Sequence, residues 1–565
     1  MTGMTLAEAS AHLTTNDPRF ELTTADIRGT QYRVFKNTPK NLRELLQTSR
    51  PAHGEGQNEY LVYQNERWSY DAFCSEVCKM ASVLKNDLGV KQGDRVALAM
   101  RNYPELPILM MAITSIGAVV VFLNAWWTTD ELDYALSDSG AALVFADGPR
   151  FERIAALGPN KVPKMVGLRD AKTDGPTYEN LLAATSSSEW PDAIIQPDDD
   201  MAVMYSSGTT GHPKGVVQTH RGAISAVFTW AMSLFLPGLM ADPNDPPAPD
   251  PGPQSILIVT PLFHVTATHP MFLLSLPMGA KLVLLHKWDA GNAVNTIERE
   301  KITRFLGVPT QSADLMQAAK QMGKPLDGLQ YVGAGGAKRP ASQVGQLQDT
   351  FPKAVVASGW GMTETNAVGL GIAGPDYVEK PAAAGRLLPP IQDLAILDDA
   401  GNEVPLGEIG ELTVKSPANM RCYLNKPKAT AEVFQNGWLR TGDLATLDSD
   451  GYVTIVDRKK NIIIRGGENI ACLDVEGALH KHPAILEAGA FSVPDERLGE
   501  TVGVGITFAK GQTATKQDLQ SFLKDHIAHF KIPDHFWFLD TALPRGATDK
   551  IDRHVLQQNC LSKDT

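Results

Sequence analysis

Between Ser75 and Val144, helical stretches alternate with short apolar strands, of which Val96-Ala97-Leu98-Ala99 and Ala118 to Phe122 are the clearest. Short apolar strands spaced by helices are the pattern of a doubly wound α/β layer. The longest apolar run, Leu106 to Leu123, contains Pro107, Thr114, Ser115 and Gly117. It therefore predicts a buried helix followed by a buried strand rather than a membrane span. Cys74 and Cys78 stand four apart beside Phe73, Val77, Met80 and Leu84 and flank the apolar face of one helix, where packing accounts for them better than a shared ligand. The segment MAVMY, 201–205, predicts a strand. ADPNDPPAPDPGP, 241–253, carries six prolines and no hydrophobic period, so it predicts an exposed loop between a helix and the strand Ile256 to Val259. Past Asp457 the pattern changes to a small α+β unit of about 105 residues. Its predicted elements are a strand at Ile462 to Ile464, a helix at Leu473 to His480, strands near 485–492 and 501–508, a helix from 516 and a strand at Phe536 to Leu539.

Composition narrows the class. The 565 residues are 43% hydrophobic and 21% charged, enough for large buried cores and for two or more domains. Lys and Arg total 52 against 64 Asp and Glu, a net charge of −12, which argues against a broad nucleic-acid surface and leaves room for a local basic pocket. The N-terminal MTGMTLAEAS has no basic or apolar stretch, so no secretory signal is expected and the cytoplasm is the default, and with Leu106 to Leu123 read as helix and strand no transmembrane segment is expected. Five cysteines without a CxxC pair suit a reduced compartment and suggest no zinc site. Nothing in the composition speaks for or against a homodimer.

Residues 205–216 read YSSGTTGHPKGV. Gly208, Gly211 and Gly215 allow positive φ and close approach to an anion, Ser206, Ser207, Thr209 and Thr210 supply hydroxyl donors, and Lys214 supplies a charge. The run departs from GxxxxGK[ST], because proline precedes the lysine and glycine follows it, so a P-loop NTPase is excluded. A loop that holds a polyphosphate is the reading; a solvated Ser/Thr/Gly turn is the bland alternative.

This run resembles the phosphate loop of the adenylate-forming superfamily, which includes acyl-CoA synthetases, luciferases and the adenylation domains of peptide synthetases. The resemblance continues in the family's order through Gly335-Gly336-Ala337, GWGMTET (359–365), WLRTGD (438–443), DRKKNIII (457–464), RGGENI (465–470) and PRGATDK (544–550). It implies an α/β fold with a large N-terminal domain of doubly wound layers plus a β-barrel-like part over 1–457, a hinge at 458–460, and a small mobile α+β lid over 461–565.

The same resemblance assigns roles. Ser206 to Gly211 and Lys214 would hold the β- and γ-phosphates of ATP. Glu364 would be the Mg2+ ligand, a hard carboxylate for a hard cation, with Thr363 adding a hydroxyl; a first-turn helix carboxylate is the alternative. Trp360 would stack on adenine, with Gly335, Gly336 and Ala337 on the opposite side and Gly361 and Met362 completing the nucleotide site, although Trp360 also reads as ordinary core. Asp443 would accept both ribose hydroxyls, Arg458 would meet ribose or α-phosphate, and Lys460 would be the pivot of lid rotation. Lys550 would be carried by the lid to the carboxylate and α-phosphate. Gly466, Gly467 and Glu468 belong to a loop that would swing in for the second half-reaction and leave room for the pantetheine arm of CoA. His264, in Pro261-Leu-Phe-His-Val, would stand between the acyl and phosphate sites, and Phe263 to Leu276 with Val308 to Gln311 would form part of the acyl wall.

The implied reaction is carboxylic acid plus MgATP to acyl-adenylate and pyrophosphate, then displacement of AMP by CoA, with an apolar acid such as a fatty acid as substrate. Transfer to a carrier protein, a luciferase-like oxygenation and an ATP-binding protein of impaired turnover are the rivals. The family has glycine before the lid lysine, whereas this chain has Asp549. A carboxylate there opposes phosphate approach, so Asp549→Gly is expected to raise the rate of pyrophosphate release; no gain in a stopped-flow assay would show the aspartate to be accommodated.

Overall fold

The structure, a computed structural model, describes residues 3–185, 189–206, 213–244, 250–465, 468–546 and 550–562. Ser207 to Gly211, Gly466, Gly467 and Asp549 therefore lie outside the described residues. Among the described residues, a seven-stranded sheet runs in the order Cys422–Tyr423, Lys214–Thr219, Asp200–Ser206, Val119–Phe122, Arg95–Ala99, Leu143–Asp147, Lys164–Leu168. A nine-stranded sheet follows the order Arg386–Leu387, Leu370–Ala373, Val355–Trp360, Tyr331–Ala334, Arg304–Gly307, Ser255–Ile258, Lys281–Leu284, Glu59–Tyr63, Glu66–Ser69. The run from Leu106 resolves as predicted: every residue of the helix Glu105–Thr114 is buried, and so is every residue of the strand after it. Helices Tyr70–Ser82, Glu105–Thr114 and His220–Ser233 share one core with one face of each sheet.

The helical stretch His220–Met240 is long and apolar enough to cross a membrane by length and composition, yet half of its most apolar window is buried inside the fold. Part of its cover comes from the N-terminal residues, whose chemistry is otherwise silent: Phe35 packs on Phe228 with ring centroids 6.2 Å apart, and Ala9, Leu13 and Phe20 join Met232 and Leu236 in one cluster.

The β-barrel-like part is an open sheet. Strands Asp393–Leu397, Gly410–Lys415 and Trp438–Leu447 are joined by Phe434–Gln435 and Val453–Arg458, both of which pair with Trp438–Leu447. Its edge does not curl back on itself because Val453 bridges Gly385 instead, and the buried face packs on Leu370 and Trp360 of the nine-stranded sheet.

The C-terminal unit follows its hydrophobic pattern closely. Strands Ile462–Arg465, Glu468–Ala471, Ile485–Asp495, Gly499–Phe508 and His535–Phe538 form one sheet, with helices Cys472–Leu479 and Lys516–Lys524 burying Val475, Leu479, Leu519 and Leu523 against it. Its tie to the large domain is polar. Buried Asp457 accepts hydrogen bonds from the backbone N–H of Leu473 (2.9 Å) and from Asn461 Nδ2 (3.2 Å), and so caps the helix Cys472–Leu479 from across the boundary. Asp457→Ala is expected to cost that cap about 1 kcal/mol, a factor of about five. Amide exchange over 472–479 should quicken by that factor; unchanged exchange would show the cap to be idle.

Candidate active site

The predicted phosphate loop joins two antiparallel strands rather than a strand and a helix. Ser206 pairs with Lys214 in register, so the ends of the run are fixed side by side on the seven-stranded sheet. Lys214 places its ammonium 4.8 Å from the Tyr423 ring centroid. Tyr423 in turn donates to Glu364 Oε1 at 2.9 Å, and Ser206 Oγ lies 3.5 Å from the same oxygen. Ser206, Lys214 and the Glu364 carboxylate thus gather around Tyr423 at the two ends of the run.

Glu364 is buried in a 3₁₀ turn, Thr363–Thr365, which is braced from three sides. Gln218 Nε2 donates to the Thr363 carbonyl at 2.9 Å, and the Met420 N–H donates to the Glu364 carbonyl at 2.7 Å. Asn366 holds a left-handed φ of 50°, donates to the Ala418 carbonyl at 2.6 Å and lies 2.9 Å from His269 Nε2. Burial keeps His269 neutral, with its pKa lowered to about 4, so its Nε2–H donates to the Asn366 side-chain oxygen. Gly361 is obligatory for the same turn: a Cβ there would stand 2.1 Å from the Ala367 carbonyl oxygen. Met362 packs with Val216 and Met420 beneath it. The second carboxylate oxygen of Glu364 has no protein partner among the described residues, as a ligand for a hard cation requires.

Asp443 and Arg458 lie directly opposite in the antiparallel pair Trp438–Leu447 and Val453–Arg458, which explains their fifteen-residue spacing. Arg458 Nε is 2.8 Å from Asp443 Oδ1, and Trp360 Nε1 donates to Oδ2 at 2.7 Å. Trp360 is half-buried, with the edge of its indole ring close against Gly369. It therefore combines a core contact with a polar one beside Asp443. Gly335 and Gly336 close the neighbouring wall against Thr266 and Val308, and Ala337 is exposed.

Lys550 completes the group. It sits at the base of a loop whose arms pair through Arg545 and Ile551, and its carbonyl accepts from the Gly546 N–H at 2.8 Å. Desolvation, then the nearby positive Arg458, lower its ammonium to a pKa of about 8 against the opposing pull of Asp443 and Glu364. The side chain remains exposed to solvent in the cleft, which screens these charges in part. Lys460 lies in the same field, lowered to about 8 by desolvation and then Arg458. Burial holds His264 neutral with a pKa near 3, the Lys550 charge adding to that effect, and its Nε2 has no partner among the described residues.

Among the described residues, the predicted site residues are thus brought together with one exception. Glu468 pairs with Arg465 at the end of a lid hairpin, and its described contacts stay within the lid. The apolar run offered as acyl wall is largely core: Phe272, Leu273 and Leu276 are fully buried, with Phe272 set against Phe73. Tyr423 and Asn366 were missed. Tyr423 could be recognised only through the pairing of its strand with Lys214–Thr219.

The AMP-binding enzyme family matches residues 3–424, and its C-terminal domain family matches residues 474–550. The chain belongs to the AMP-binding enzymes. A feruloyl-CoA synthase of Amycolatopsis is 33% identical over 86% of this chain and 92% of its own length. A long-chain-fatty-acid–CoA ligase of Mycobacterium tuberculosis is 31% identical over 83% and 89%. The solved o-succinylbenzoate CoA synthetase of Bacillus subtilis, in complex with its acyl-adenylate, superposes with a TM-score of 0.78 at 27% identity, covering 91% of this chain and 97% of the other.

Proposed function

We propose that this AMP-binding enzyme is an ATP-dependent acyl-CoA synthetase that uses ATP, Mg2+ and CoA and proceeds through an acyl-adenylate. The observation that carries the reading is the convergence of Lys550 and Arg458 on Glu364 and Asp443 at the mouth of the phosphate-loop hairpin. A carboxylate attacking an α-phosphate brings negative charge onto negative charge, and the rate depends on cations and oriented donors rather than on a general base. Lys214 and Ser206 stand where a polyphosphate would lie, and Lys550 stands where the α-phosphate and carboxylate would meet. Glu364 is the residue fitted to hold Mg2+, which when bound neutralises phosphate charge. Asp443 would exchange its Trp360 and Arg458 contacts for the ribose hydroxyls. His264, held neutral by burial, would separate the acyl side from Lys550 without adding charge.

The acid is one with an apolar acyl group, a fatty or an aryl acid, since relatives of both kinds cover most of the chain. The large domain spans 1–457, the hinge 458–460 and the lid 461–565. Lys460 is the pivot, and rotation about it would exchange Lys550 for the Arg465–Glu468 hairpin and its glycines, opening the way to CoA.

The test is AMP release and thioester formation across a panel of carboxylic acids with and without CoA. Free CoA should be consumed in step with AMP. Pyrophosphate release that ignores CoA would favour a carrier protein as acceptor, light emission an oxygenase, and ATP binding without turnover an impaired enzyme. Because Lys550 titrates near pH 8 and acts as a cation, the adenylation rate is expected to fall as pH rises through that value. Lys550→Arg should carry the alkaline limb to higher pH; a limb that does not move would assign it to another group.

A further inference from the structure

The parallel pairing of Arg304 with Tyr331 and of Leu306 with Gly333 puts these four residues on one face of the nine-stranded sheet. That face begins at the reaction end, where Gly335 and Gly336 lie against Thr266 and Val308. Two residues down the strand, Gly333 leaves the sheet bare, and the space is already taken. A Cβ at Gly333 would stand 2.6 Å from Tyr331 Cε1, 3.0 Å from its hydroxyl oxygen and 2.8 Å from Leu306 Cδ1. The Tyr331 ring therefore leans along its own strand toward the reaction centre and brings its hydroxyl level with Gly333. Two residues of strand separate that level from Gly335, roughly 7 Å. The ring is held from behind by Arg304, whose guanidinium carbon lies 4.2 Å from the ring centroid.

Among the described residues the Tyr331 hydroxyl has no hydrogen-bond partner and Arg304 has no carboxylate. Burial lowers the Arg304 pKa, with Tyr331 the only titratable group pulling the other way. A half-buried guanidinium stacked behind an open phenol hydroxyl is poorly matched to a hydrocarbon tail.

Resting on the synthetase reading above, we propose that Tyr331, backed by Arg304, is the floor of the acyl site and selects a compact carboxylic acid that carries an oxygen function at its far end. The roughly 7 Å of strand between Gly335 and the level of the hydroxyl matches one ring or a short branched group. An extended alkyl chain following this face meets the ring within a few carbons. An acid whose far end is a hydroxyl, ether or carbonyl satisfies the phenol; one lacking it leaves a buried donor unpaired, which is how sites of this kind reject close analogues.

The test is acid binding by isothermal titration calorimetry over a ladder of straight-chain acids and over aryl acids with and without a ring hydroxyl. Parent, Tyr331→Ala and Tyr331→Phe are compared, with AMP release measured in parallel. The parent should favour the hydroxylated aryl acids. Tyr331→Ala should shift affinity toward long chains by about tenfold or more. Tyr331→Phe keeps the floor and loses the hydroxyl, so it should still exclude long chains while losing the preference for hydroxylated acids. Long-chain preference in the parent, or a ladder unmoved in Tyr331→Ala, would overturn the floor. Loss of AMP release from every acid with the binding ladder intact would overturn the synthetase reading and leave the floor standing.

Discussion

Lys550→Ala is expected to slow acyl-adenylate formation by about 10²- to 10³-fold, roughly 3 to 4 kcal/mol, while thioester formation from supplied acyl-adenylate stays near the parental rate. The split follows from position. Lys550 is on the lid, within the field of Glu364, Asp443 and Arg458, and on the proposed reading its charge falls where carboxylate and phosphate meet. Once AMP is a leaving group, attack by a thiolate on a neutral carbonyl has less need of that cation. Because the Lys550 side chain is exposed and joins no core cluster, its removal should leave the melting temperature unchanged. Equal losses in both half-reactions would place the lysine in binding or lid docking instead.

Glu364→Gln is the second large effect. The amide is nearly isosteric and keeps an oxygen for the Tyr423 hydroxyl, so the turn braced by Gln218, Asn366 and Met420 should persist. What it loses is the negative charge beside Lys214 and Ser206. Pyrophosphate release should fall by about 10²-fold, and the Mg2+ concentration for half-maximal rate should rise. Tyr423→Phe serves as the control, removing the hydrogen bond and retaining the carboxylate; its Mg2+ dependence should move far less. A Glu364→Gln enzyme with parental Mg2+ dependence would remove Glu364 as the metal ligand.

How far the sequence leads depends on the range of the interaction. The lid strands other than Glu468–Ala471, the buried helix Glu105–Thr114 and the hairpin strand Asp200–Ser206 were legible because period and local turn chemistry specify them. Lys550, Asp443 and Glu364 could be named as site candidates because each sits in an ordered motif. The partners that position them were not: Tyr423 reaches Glu364 across 59 residues and His269 reaches Asn366 across 97, and neither pairing leaves a local pattern. Phe272 to Leu276 misled for the complementary reason. An apolar run reads alike whether it lines a substrate site or fills a core, and here the sheet placement sends it into the core. That the β-barrel-like part is an open sheet was not legible either, since Val453 bridges Gly385, a pairing with no sequence signature.

The most direct measurement is acid-dependent exchange of labelled pyrophosphate into ATP in the absence of CoA, followed by a CoA chase. Exchange that requires both an acid and Mg2+, and a chase that converts the trapped acyl-adenylate to thioester with stoichiometric AMP, is the predicted result. No exchange with any acid, from folded protein that binds ATP, would contradict it.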